Sequence, residues 1–166
     1  MTAVGPAAPL PAALALTVST RAAAGVYEDT TGPIIAEWLI ARGFDAARRV
    51  VPDGPEVEAA LRDAVTARLR LVITSGGTGV GPDDRTPEHT RAVLELELPG
   101  FAEEFRRRGT ERTPHALLTR GVAGTAGGTL IVNLPGSAGG VRDGLGLLDG
   151  FYAHALDQLT GGDHPR

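Results

Sequence analysis

Four short strand-like segments, three of them mostly apolar, dictate what this chain can become. They are Ala12–Ser19 (AALALTVS), Phe44–Val51 (FDAARRVV), Leu69–Thr74 (LRLVIT) and Thr129–Leu134 (TLIVNL). Each is of strand length; the first ends in Ser and Thr, as a buried strand does when it feeds a loop, and the others run straight into proline- or glycine-rich turns. The stretches between them have helical spacing. In TGPIIAEWLIARG, Thr31 serves as N-cap, Pro33 sits in the first turn, Ile34, Ile35, Trp38 and Leu39 share a face, and Gly43 closes the helix. In PEVEAALRDAVTAR, the shared face is Val57, Leu61, Ala64 and Val65. A further helix starts at Thr86-Pro87-Glu88 and runs through Leu96 until Pro99-Gly100 breaks it. Short helices follow at Phe101–Arg108 and Thr113–Thr119. A long one runs from Ser137 to Leu159, with Val141, Leu145, Leu148, Tyr152, Leu156 and Leu159 in register.

Strands that alternate with helical crossovers predict an α/β fold: three layers, α/β/α, around a mainly parallel sheet. One domain over residues 13–160 is expected, with loose tails at 1–12 and 161–166. No internal repeat is visible.

Ligands of open α/β sheets sit outside the carboxyl ends of the strands. That rule selects four loops: Ser19-Thr20-Arg21, Pro52-Asp53-Gly54, Ser75–Gly81 with Asp83-Asp84 behind it, and Pro135-Gly136-Ser137. All should converge on one rim.

Composition decides what kind of site that rim can hold. The sixteen basic residues are all arginine, and cysteine is absent. Without lysine there is no Walker-type phosphate loop and no Schiff base. Without cysteine there is no disulfide, thiolate nucleophile, iron–sulfur cluster or thiolate zinc site. The net charge of −4 and 4% aromatic content leave neither a basic footprint nor stacking platforms for nucleic acid. No apolar stretch reaches the roughly 20 residues of a membrane span, and the first 16 residues carry three prolines and no basic start. A cytoplasmic protein with no membrane or nucleic-acid partner is expected.

Glycine, at 23 of 166 residues, is about twice its usual 7% share. The Ser75-Gly76-Gly77-Thr78-Gly79 stretch can bring bare backbone N–H groups to an anion, with Ser75 and Thr78 adding hydroxyls. The same loop also reads as a plain strand–helix turn. Asp53 alone reads as a turn residue in Pro-Asp-Gly, and Asp84 as an acidic group ahead of a helix. Together beside a phosphate cradle they read as oxygen ligands for Mg²⁺. Asn133 either satisfies a local turn or faces a ligand. Asp83 and Arg106-Arg107-Arg108 read as solvated, Trp38 as core or subunit contact, and His89 and His115 have no metal-ligand spacing.

Thr74-Ser75-Gly76-Gly77-Thr78-Gly79, Asp84-Arg85-Thr86-Pro87-Glu88, Leu98-Pro99-Gly100-Phe101 and Asn133-Leu134-Pro135-Gly136-Ser137, in that order, resemble the MogA/MoaB family of molybdenum-cofactor biosynthesis proteins, which includes gephyrin-like G domains. Gly25–Asp29 and Pro52-Asp53 also match, and the resemblance spans Leu14 to Leu159. It implies a MogA-like molybdopterin-binding fold, a homotrimer, and transfer of AMP from Mg-ATP to the terminal phosphate of molybdopterin with release of pyrophosphate. Asp53 and Asp84 would be the catalytic and Mg²⁺-holding pair. Ser19, Arg21, Ser75, Gly76, Gly77, Thr78 and Gly79 would bind nucleotide and substrate phosphates. Asn133, Leu134, Pro135, Gly136 and Ser137 would form the pterin side. A downstream molybdenum-insertion enzyme is an implied partner. The alternatives are a MoaB-type protein that binds molybdopterin or a precursor without turnover, and a trimeric interaction module. The sequence departs from the family pattern in three places. Thr20 stands where many members have Asp, Asp83 where a basic residue is frequent, and Thr119 where Ser precedes Arg120.

Overall fold

Side chains of the central strands alternate between two apolar clusters. Leu71, Ile73, Leu130, Val132 and Leu134 belong to one, while Val72 and Ile131 belong to the other. A strand apolar on both faces needs a helical layer on each. The structure, a computed structural model, describes residues 8–162. Residues 1–7 and 163–166 of the expected tails lie outside that range.

The described elements are β1 (Ala12–Val18), α1 (Thr20–Ala23), α2 (Thr31–Ala41), β2 (Asp45–Val51), α3 (Pro55–Thr66), β3 (Leu71–Ser75), α4 (Thr86–Arg91), β4 (Leu96–Glu97), α5 (Pro99–Thr110), a 3₁₀ turn (Pro114–Leu118), β5 (Ala123–Ala126), β6 (Thr129–Leu134), α6 (Ala138–Leu148) and α7 (Tyr152–Leu159). They build one six-stranded sheet in the order β2-β1-β3-β6-β5-β4. The first four strands in that order are parallel, and β5 pairs antiparallel with both β6 and β4, so β5 alone runs against the others. Helices α2, α5, α6 and α7 cover one face, and α3 and α4 cover the other. The expected three-layer architecture is present, with an antiparallel margin that the sequence reading did not contain.

Four differences from the expected elements have physical causes. The Ser19-Thr20-Arg21 segment is not all loop: Ser19 Oγ accepts from Ala22 N at 3.1 Å and starts the single turn of α1. The helix begun at Thr86 stops at Arg91 instead of reaching Leu96, because Glu95 N and Leu98 N donate to Thr125 O and Ala123 O, making Leu96–Glu97 an edge strand. Pro99-Gly100 opens α5 rather than breaking a helix, proline being tolerated in a first turn. The long terminal helix is two, α6 and α7, divided at Asp149–Phe151 around Gly150.

Strand β5 (Ala-Gly-Thr-Ala) lacks the bulky residues that mark a strand. It is held by a two-residue hairpin turn in which Gly127 and Gly128 both adopt positive φ, +55° and +84°. That is the turn geometry a tight hairpin requires.

Four buried polar residues, Thr17, Thr74, Ser75 and Asn133, lie at or near the rim ends of the strands. Asn133, 2% exposed, donates through Nδ2 to Thr74 Oγ1 and Thr90 Oγ1, both at 3.0 Å, and accepts from Val122 N at 3.2 Å. Thr90 Oγ1 in turn donates to Thr86 O at 2.8 Å. One amide thus joins β6, β3 and α4. Asn133→Leu keeps the branched heavy-atom skeleton, with somewhat more bulk, but strands a buried N–H and buried hydroxyls. It is expected to lower stability by about 3 kcal/mol, read as a shifted midpoint in urea denaturation.

Candidate functional site

Beyond its last strand pair, Val18 with Val51, the β1–β2 ladder continues through Ser19 N, which donates to Val51 O at 2.9 Å. The next residues of the two strands' loops, Thr20 and Asp53, therefore meet. Thr20 N and Thr20 Oγ1 donate to Asp53 Oδ2 at 3.2 and 3.1 Å, and Asp53 N donates to Thr20 Oγ1 at 3.1 Å. They lie in a cleft of about 620 Å³ whose lining includes Ser19, Arg21, Asp29, Asp53, Ser75, Gly76, Gly77, Asp83, Asp84 and Gly136. The four loops chosen from the sequence do converge on this rim.

Bare backbone is a steric necessity here. A β-carbon on Gly76 would fall 2.2 Å from Val18 O. One on Gly77 would fall 2.2 Å from Thr86 Oγ1 and 3.0 Å from Asp53 Oδ1. Those on Gly79 and Gly81 would each fall 2.8 Å from Asp84 Oδ2. Both aspartates thus press on the same loop, Asp53 at Gly77 and Asp84 at Gly79 and Gly81. Gly76 N is committed to Leu134 O at 3.1 Å, and Gly81 N donates to Asp84 Oδ2 at 2.9 Å. Among the described residues, the amides of Gly77, Thr78 and Gly79 have no hydrogen-bond acceptor. Gly77 lines the cleft and Thr78 and Gly79 continue the loop behind it, so an anion in the cleft meets the Gly77 N–H first.

The remaining predicted residues divide. Ser75 is buried and shares a 2.6 Å hydroxyl–hydroxyl bond with Thr31. Thr78 is buried, with its carbonyl accepting from Arg120 N at 2.8 Å. Arg21 lines the cleft, its guanidinium 5.5 Å from the Tyr27 ring centroid. Asn133 and Leu134 are interior and do not reach the cleft, because strand β6 is paired and buried to its last residue. Gly136 lines the cleft, while Pro135 and Ser137 border a second hollow of about 640 Å³ beside Phe105 and Leu147. Ser137 Oγ caps α6 by accepting from Gly140 N at 3.1 Å. Asp83 is exposed, as expected.

Two supports escaped the sequence reading. Arg120 donates through Nε to Gly79 O at 2.7 Å, through Nη2 to Asp84 O, and through Nη1 to Glu88 Oε1. It clamps both ends of the segment that carries Asp84. The hydrogen bond from Arg120 holds the Glu88 carboxyl below the usual carboxylate range. Asp29 accepts from Thr17 Oγ1 and Gly32 N, both at 2.9 Å, and pairs with Arg48, fixing the start of α2. The only sequence trace of the clamp was Arg120 beside Thr119 in the family pattern. Among the described residues, no group of three or more His, Cys, Asp or Glu could hold a metal by itself.

Residues 14–150 match the family described as a probable molybdopterin binding domain. The chain is 36% identical over 154 residues to a molybdenum cofactor biosynthesis bifunctional protein of Synechococcus elongatus, covering 92% of this chain and 48% of that protein. It is 38% identical over 135 residues to the molybdopterin adenylyltransferase of Haemophilus influenzae, covering 78% of this chain and 68% of that one. The chain therefore spans about half the length of the bifunctional relative and about two thirds of the adenylyltransferase. The molybdopterin biosynthesis Mog protein of Mycobacterium ulcerans superposes with a TM-score of 0.87 at 57% identity, over 90% of this chain and 99% of that one.

Gly77→Ala should destabilise by at least about 1 kcal/mol, since its φ of +65° is costly for any L side chain and the new methyl meets Thr86. Gly139→Ala, with open space at its β-carbon inside α6, should be neutral or stabilising in the same urea titration. Glu88 titrates lower folded than unfolded. Its contribution is therefore full above the unfolded value and fades as pH falls through the folded one. The gap in thermal midpoint between wild type and Glu88→Gln is expected at neutral pH and should close on acidification.

Proposed function

The chain belongs to the molybdopterin-binding domain family of molybdenum cofactor biosynthesis proteins, and from that premise we propose that it is a molybdopterin adenylyltransferase. The observation that carries the proposal is the placement of Asp53 and Asp84 against one glycine-rich loop with free amides. The substrates are ATP and the terminal phosphate of molybdopterin.

Charge bears on how a polyphosphate enters. The cleft is lined by Glu28, Asp29, Asp53, Asp83 and Asp84 but by a single arginine, Arg21. Arg48 offsets Asp29, and among the described residues no ion pair offsets the others. A polyphosphate entering this cleft needs a cation with it. The donors offered are carboxylate and hydroxyl oxygens, which suit Mg²⁺ shared with substrate phosphates and water. Asp53 and Asp84 would hold it. When bound, it offsets the charge that grows on the leaving pyrophosphate.

The chemistry is an in-line displacement. An oxygen of the molybdopterin phosphate bonds to the α-phosphorus of ATP, the bond from that phosphorus to the β-bridging oxygen breaks, and pyrophosphate leaves. A phosphate monoester is largely ionised at neutral pH, with its second pKa near ~6, so no strong general base is required. The amides of Gly77, Thr78 and Gly79 orient the phosphates, and Arg120 keeps their loop in place. Most of the rate comes from positioning and charge compensation. The pterin rests on the Pro135–Ser137 side, where the second hollow offers Phe105 and Leu147. Following the family resemblance, the chain works as a cytoplasmic homotrimer and passes its product to a molybdenum-insertion enzyme. Among the described residues, no helix is long and apolar enough to cross a membrane.

Pyrophosphate release that requires both molybdopterin and Mg-ATP is the test. Asp84→Asn and Asp53→Asn are each expected to lower turnover by at least about a hundredfold, as removal of a charge-stabilising group does. Pterin binding, followed by fluorescence quenching, should persist. Pterin binding with no pyrophosphate release by wild type would instead assign the chain to the binding-only branch.

A further inference from the structure

Asp53 does not offer its two oxygens equally. Every hydrogen bond the structure gives its carboxylate goes to Oδ2, and both come from Thr20. The reverse bond, from Asp53 N to Thr20 Oγ1, closes the pair into a reciprocal clasp. Oδ1 is left facing the bare Gly77 backbone. The Thr86 hydroxyl ends at the same place. Thr86 is 1% exposed and its hydroxyl has no hydrogen-bond partner among the described residues; that hydroxyl lies 2.2 Å from the point above Gly77 from which Asp53 Oδ1 lies 3.0 Å.

We propose that Thr20 is a positioning residue for cation binding: its hydroxyl and amide tie down Asp53 Oδ2 so that Oδ1 is presented, fixed in one rotamer, to the space over Gly77. An aspartate on an open loop samples several rotamers, and holding one in advance lowers the ordering cost when a ligand arrives. Thr20 suits the task because it is the first residue of α1. Ser19 caps that turn and also continues the β1–β2 ladder, so the Thr20 hydroxyl and amide are carried on rigid backbone. Thr20 never touches the substrate; it acts through Asp53. The loss of a carboxylate implied by comparison with the family pattern at this position is then a change of device. A hydroxyl that can donate and accept steers the neighbouring acid, where a second acid would repel it.

The inference rests on the reading of Asp53 as a cation ligand, and the two can fail separately. Mn²⁺ is titrated into the full chain with α,β-methylene ATP, and binding is followed by water proton relaxation, which needs no turnover. Thr20→Val keeps the side-chain shape and removes both hydroxyl bonds. It is expected to weaken Mn²⁺ binding roughly tenfold, the loss of about one hydrogen bond to a charged group. Thr20→Ser restores the hydroxyl and should bind within about twofold of wild type. Asp53→Asn should weaken binding at least as much as Thr20→Val. If Asp53→Asn is impaired while Thr20→Val binds like wild type, the positioning role is wrong and Asp53 stands. If Thr20→Ser is as weak as Thr20→Val, the hydroxyl is not the cause and the proposal also falls. If Asp53→Asn binds Mn²⁺ normally, the underlying reading fails with it. Thermal midpoints report folding. Thr20 is exposed, so all three variants should melt within a few degrees of wild type, and a Thr20→Val protein that does not fold would overturn the assignment of a positioning rather than a structural role.

Discussion

The carboxyl ends of the central strands are buried and polar at once, and this condition governs the rest of the molecule. Thr17, Thr74, Ser75 and Asn133 lie in the strands at or near the rim with almost no exposure. Each unpaired group there would cost about 1–3 kcal/mol, so each is tied sideways to another element. Thr17 goes to Asp29, Ser75 to Thr31, and Asn133 to Thr74 and Thr90. The ties are what fix α2 and α4 against the strand ends. Loops that leave such a rim inherit its rigidity, which is how a glycine-rich segment can hold a defined shape.

That rigidity explains how the chain manages without lysine. A lysine can reach an anion from many backbone positions, whereas amide groups must already be in place. Here the loop is fixed from behind by Gly76 N on Leu134 O and by Thr86 N on Gly77 O, and from the side by Arg120. The arginines are spread over structural tasks of the same kind. Arg42 stacks on Trp38 at 4.0 Å and grips Asp149, joining the end of α2 to the end of α6, and Arg70 donates to Leu156 O at 2.6 Å at the end of α7. The cleft itself keeps one.

Much of this was legible in advance. β1, β3 and β6 announce themselves because both faces are apolar, and the rim rule then points to Asp53, Asp84 and the glycine loop without further help. β4 and β5 were illegible because their residues carry no strand signal of their own. Leu96–Glu97 and Ala123–Ala126 become strands by pairing with each other and with β6, a tertiary effect that local propensity does not encode. The Gly127-Gly128 pair was the one available sign of that hairpin. Asn133 was readable as polar and strand-terminal, but which way its amide pointed depended on Thr74 and Thr90, 59 and 43 residues away. Thr20 read as a departure from a pattern, and only its proximity to Asp53 gave it a role.

The antiparallel margin has a consequence for how the rim is assembled. A parallel strand contributes the loop that follows it, but β5 runs the other way, with Ala123 beside Val132, so it contributes the segment that precedes it. That segment holds Arg120. The hairpin is therefore a ruler: the residues from the Gly127-Gly128 turn back to Arg120 set how far the guanidinium extends over the glycine loop. Losing or gaining one residue along Ala123–Ala126 would turn the side chains between that point and Arg120 to the opposite face. It would also draw the clamp off Gly79 and Asp84, at a point more than thirty residues along the chain from either.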